Sequence, residues 1–97
     1  MSPVEKDFHR DMVSIYERAK SEAGYPANYF IQMVAEQGGV ATARQLVLST
    51  APSEGFTALW QRKRLDVTVE ALVLHSRFDE LFDEEVRRAA RSRRDYG

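Results

Sequence analysis

The chain has 97 residues, 43% of them apolar and 30% charged, with a net charge of −1 and no cysteine. That balance describes one globular domain, 1–97, and excludes a disordered chain, a disulfide scaffold and a thiolate metal site. No window approaches about 20 apolar residues, and the opening MSPVEKDFHRD has no apolar run, so the expectation is a cytoplasmic protein with neither a signal peptide nor a membrane span.

Ser2-Pro3-Val4-Glu5 combines a serine N-cap, a proline at the first helical position and a glutamate that can close a capping box. The helix it starts keeps Phe8, Met12, Ile15, Tyr16, Ala19 and Ala23 on one face, and Gly24 suits its stop, so the first helix is predicted over 3–23. A turn at Tyr25-Pro26-Ala27-Asn28 follows, with Tyr25 or Asn28 as the boundary of the next helix. That helix carries Tyr29, Phe30, Met33 and Val34 and ends at Gly38-Gly39; a third carries Val40, Ala43, Leu46 and Val47 and stops before Ala51-Pro52.

Ser53 can cap a fourth helix, in which Phe56, Leu59 and Trp60 form one apolar stripe. The charged connector Gln61-Arg62-Lys63-Arg64 ends it. The next five residues, Leu65-Asp66-Val67-Thr68-Val69, alternate like a short strand, but Asp66 or Thr68 as N-cap and Glu70 in a first turn favour a helix. Phe78, Leu81 and Phe82 suggest a further helical turn, and Asp83-Glu84-Glu85 starts a last helix that carries Val86, Ala89 and Ala90 inward and frays from Arg93 to Gly97. The stretch 55–82 concentrates large apolar residues and is read as the centre of the core. The predicted fold is an all-α, compact orthogonal bundle of five to six short helices.

Basic charge gathers at the C-terminus: residues 87–97 hold five arginines and one aspartate, while 56–86 hold four bases against seven acids. Asp83 with Arg87 and Glu84 with Arg88 are spaced to pair along the helix. His9 among Glu5, Asp7 and Asp11, and His75 with Asp79, read as surface pairs with carboxylates rather than metal ligands. No nucleophile, phosphate-loop, dinucleotide or zinc-protease motif occurs in the sequence. The reading is therefore of no enzyme, no cofactor and no small-molecule substrate.

Two functional classes remain. The first is a non-catalytic interaction module that binds a partner protein or a second copy of itself, with Tyr25, Tyr29 and Trp60 as partly exposed aromatic anchors. The alternative is a helix-turn-helix-like DNA-binding domain, with Ala35 packed in its first helix and Gly39 at the turn. Thr42, Arg44 and Gln45 would then read bases, and Arg62, Lys63, Arg64, Arg87, Arg88 and Arg91 would meet phosphates. An ordinary helical hairpin is the preferred explanation of the paired glycines, which need no further cause after an amphipathic helix.

The order of landmarks, from Phe8, Met12 and Ile15-Tyr16 through Gly38-Gly39 to Arg64-Leu65-Asp66-Val67-Thr68-Val69-Glu70-Ala71-Leu72-Val73-Leu74 and the arginine-rich end, resembles a small bacterial all-helical domain of unassigned function. The resemblance implies a compact helical unit, alone or fused to larger proteins, and a glycine where this chain has Lys63. It implies no activity.

Overall fold

A computed structural model describes residues 2–96, and among them every regular element is helical. The six α-helices are α1 (Pro3–Ala23), α2 (Asn28–Gln37), α3 (Gly39–Leu48), α4 (Glu54–Gln61), α5 (Val69–Val73) and α6 (Glu84–Tyr96). Two 3₁₀ turns, Leu65–Val67 and Ser76–Leu81, connect the later ones. The radius of gyration is 12.1 Å, against about 12.5 Å for a compact chain of this length.

Helix α1 begins and ends where its caps dictate. Glu5 N–H donates to Ser2 Oγ and Ser2 N–H to Glu5 Oε1, both at 3.2 Å, and Gly24 closes the helix at φ 67°. Its stripe of Phe8, Met12, Ile15 and Ala19 is buried along about three turns, and α2, α3 and α5 pack on α1.

The two glycines between α2 and α3 have different tasks. Gly38, at φ 90°, reverses the chain in a single residue. Gly39 is buried, and a Cβ on it would stand 2.9 Å from His9 Cα, so only glycine lets α3 begin against α1. Gly39 N–H donates to His9 Nδ1 at 3.1 Å; the histidine therefore holds α3 in place instead of pairing with the neighbouring acids. His75 is likewise a cap, its Nδ1 accepting from Arg77 N–H at 3.2 Å at the start of the second 3₁₀ turn, not a partner of Asp79.

The ambiguous segment 65–69 is a 3₁₀ turn followed by a helix start. Thr68 is the N-cap: its Oγ1 accepts from Ala71 N–H at 3.2 Å and donates to Leu65 O at 2.7 Å. The pleat-like alternation reflects a chain passing from one turn into another, with Val67, Thr68 and Val69 all buried.

The core lies elsewhere than expected. Its main part joins α1, α2, α3, α5, the second 3₁₀ turn and α6, with Phe8 between the edges of Phe78 and Phe82 at centroid distances of 5.0 and 5.1 Å. A second, smaller cluster holds Ala19, Leu59 and Val67. The stretch 55–82 is thus divided: its second half is central, whereas α4 is peripheral. An eight-residue helix can turn only one face inward, so Phe56 and Leu59 are buried while Trp60 is 46% exposed.

Helix α4 ends in a left-handed cap. Lys63 N–H donates to Trp60 O at 3.0 Å and Arg64 N–H to Leu59 O at 2.8 Å, with Lys63 at φ 58°, the position glycine normally fills. At the other end of the chain, Asp83 Oδ1 accepts from Val86 N–H at 3.1 Å and so caps α6 rather than pairing with Arg87. Helix α6 continues through the expected fraying point to Tyr96; Gly97 lies outside the described residues.

Candidate functional site

Between α1, α2, α4 and the Val67–Glu70 segment opens a pocket of about 270 Å³. The elements above build it. The left-handed Gly24 turns the chain so that Tyr25 and the start of α2 face α4, and the Ser53 cap, accepting from Phe56 N–H at 3.1 Å, sets the first turn of α4 opposite. Tyr16 from α1, Tyr25 and Tyr29 beside the turn, Phe30 from α2 and Phe56 from α4 line it, and apolar side chains including Ile15, Met33 and Leu59 complete it.

Tyr25 is held on two sides. Its ring edge would lie 3.6 Å from a Cβ on Gly55, and the Arg62 guanidinium sits 5.7 Å from its ring centroid. Burial, helped by the Glu54 charge, raises its hydroxyl above the usual phenol range. Tyr29 stands at the rim with 73% of its surface exposed.

Glu70 contributes to the lining and is 2% exposed. Burial pushes its carboxyl above the usual range, against the opposing effect of Arg93, whose Nη1 lies 3.4 Å from Glu70 Oε2. Arg93 also donates to Leu46 O at 2.6 Å, Ala51 O at 3.1 Å and Ser49 O, and so satisfies carbonyls at the end of α3. This arginine ties α6 to α3 and is not a free cation for phosphate.

The structure brings two of the three expected aromatic anchors together. Tyr25 and Tyr29 share the pocket, whereas Trp60 does not line it and instead borders a shallow depression with Gln61, Lys63 and Leu65. Glu70, Tyr16, Phe30 and Glu54 were missed as site residues. Glu70 had a readable signal, since it is spaced i, i+3 with Val73 on an otherwise apolar face, but a glutamate in a first turn has a sufficient local explanation in the helix dipole.

The basic residues are less available than their sequence suggests. The Arg62-Lys63-Arg64 loop is not unpaired: Arg64 bonds Glu22 and Asp66, lowering both carboxyls, and Arg62 donates to Ala23 O and Ala58 O at 2.8 and 2.9 Å. Arg87 pairs with Glu84 at 3.2 Å and approaches Asp79 at 3.7 Å; Arg91 also pairs with Glu84. Arg44, Lys63 and Arg88 make no ion pair within 4 Å among the described residues, and the expected Glu84–Arg88 interaction is limited to the Arg88 charge helping Arg91 and Arg87 to lower the Glu84 carboxyl. On α3, Thr42 is fully buried with its hydroxyl donating to Gly38 O at 2.8 Å, and Gln45 accepts from Gln37 at 3.1 Å. Ala35, which a helix-turn-helix register would bury, is exposed.

No described helix is long and apolar enough to cross a membrane, and no group of three metal-ligating side chains occurs among the described residues. Comparison with protein-family models, curated proteins and solved structures finds no match.

Proposed function

We propose that this chain is a non-catalytic helical interaction module whose docking site is the pocket rimmed by Tyr25 and Tyr29, and that a side chain from a segment of a partner protein fills it. The observation that carries this reading is a 270 Å³ pocket walled by aromatic rings, with a tyrosine 73% exposed at its mouth. A volume of about 270 Å³ has room for one inserted side chain. Tyrosines combine large contact area with little conformational freedom to lose, which is why they anchor interfaces. Trp60 offers a second contact on a separate surface.

Panning a displayed random-peptide library against the domain tests this, with sedimentation equilibrium reporting self-association. The expected result is a recurring consensus whose binding falls about tenfold on Tyr29→Ala, the loss of about 1.4 kcal/mol at an interface anchor, without a change in melting. Self-association that depends on Tyr29 would assign the same pocket to a second copy. A monomer that selects no consensus, or a consensus indifferent to Tyr29, would sink the proposal.

A further inference from the structure

The charges that line the pocket are of one sign. Its lining includes two carboxylates, Glu54 and Glu70, and no lysine, arginine or histidine. Glu54 is exposed at the rim and makes no ion pair among the described residues, while Glu70 is buried and meets Arg93, which does not line the pocket, at 3.4 Å. Five aromatic rings surround these groups, and aromatic faces attract cations through their quadrupole. Arg62, which does not line the pocket, places its guanidinium over the Tyr25 ring at 5.7 Å from the centroid, so one of these rings already meets a cation.

We infer that the pocket selects an arginine side chain of the partner, its stem lying against the tyrosines and its guanidinium meeting the carboxylate at the rim. This rests on the docking site proposed above and specifies its occupant. An arginine suits it because the planar guanidinium can stack on a ring while its edge donates to a carboxylate, and because its apolar stem can cover the pocket wall. A purely aliphatic side chain would leave Glu54 without a partner, and an acidic one would face its like charge. The Arg93 charge behind Glu70 makes a second full ion pair at the floor unnecessary, so discrimination falls mainly to Glu54.

The test is an amide-resolved NMR titration with three blocked amino acids: N-acetyl-arginine methylamide, its neutral citrulline analogue and its leucine analogue. The arginine probe is expected to shift the amides of Tyr29, Gly55 and Glu70 saturably. The citrulline probe should bind about fivefold more weakly, the difference between a charge-assisted and a neutral hydrogen bond. Glu54→Gln should remove that preference while leaving the melting transition in place, since Ser53 still caps α4. If Glu54→Gln keeps the preference and Glu70→Gln abolishes it, the buried carboxylate is the selector and the placement of the guanidinium at the rim is overturned. The inference as a whole is overturned if leucine binds as well as arginine, if neither glutamine variant changes the preference, or if arginine produces no saturable shift focused on the pocket. A display consensus that needs Tyr29 but carries a neutral anchor would refute the arginine occupant and leave the interaction module intact, whereas the lack of any consensus would refute the module itself.

Discussion

Replacing Lys63 by glycine should stabilise the domain, although it removes a side chain. Lys63 ends α4 at φ 58°, and its N–H and that of Arg64 close the helix onto Trp60 O and Leu59 O. An L-residue in this region costs about 1–2 kcal/mol through the clash of its Cβ with the following carbonyl. Glycine removes that clash but loses about 0.5–1 kcal/mol more backbone entropy on folding. The lysine side chain is exposed and makes no ion pair among the described residues, so its loss offsets little. The net gain is about 0.5–1 kcal/mol, which for a domain of this size is a rise in Tm of about 2–8 °C. Circular dichroism melts at a fixed protein concentration measure it. Gly38→Ala is the mirror control: φ is 90° there and a Cβ would meet nothing within 4 Å, so its penalty is conformational and its Tm should fall. A Tm for Lys63→Gly at or below that of the unmodified chain refutes the reasoning.

Two further perturbations separate the core from the periphery and probe the buried acid. Phe8→Ala removes a fully buried ring wedged between Phe78 and Phe82 and should cost about 3–5 kcal/mol of a total of about 5–15 kcal/mol, a fall in Tm of more than about 12 °C, whereas Trp60→Ala, at a half-exposed ring, should shift Tm by only a few degrees. Equal effects in thermal melts would place α4 in the main core after all. Glu70→Gln should stabilise the domain at pH 7 and be neutral at pH 4. Because burial raises the folded-state carboxyl above its ordinary 4.5, ionisation costs the folded state progressively as pH rises above that value, and glutamine escapes the cost. The lowered carboxyls of Glu5, Glu22, Asp66 and Glu84 lose their contribution as pH falls, but equally in both proteins, so the difference between paired urea melts isolates Glu70. A less stable variant at pH 7 would show that the Arg93 contact outweighs burial.

What was legible in the sequence was local. The capping box at Ser2–Glu5, the stop at Gly24, the Ser53 cap and the apolar stripe of α1 depend on groups within six residues of one another, and the all-helical class and the bounds of α1 follow from them. Tyr25 and Tyr29 could be picked out, together with Trp60, as aromatic candidates because rings of this type dominate interface energetics. That these two share a pocket from which Trp60 is absent was decided only by how α1, α2 and α4 pack.

The same division explains the corrections. Arg93 looks like one more cation in a basic tail, and only the meeting of α6 with the end of α3 makes it a structural tie to Leu46, Ser49 and Glu70. Glu70 satisfies a helix-dipole rule in sequence, and the packing of α5 against its neighbours turns it into a buried acid. Gly39 reads as a helix breaker, yet its need for glycine comes from α1, thirty residues earlier, through His9. Caps and periodicity act within one or two turns, so the sequence alone determined the helices; burial, ion pairing and the pocket depend on distances between helices far apart in the chain, and the tertiary structure decided those.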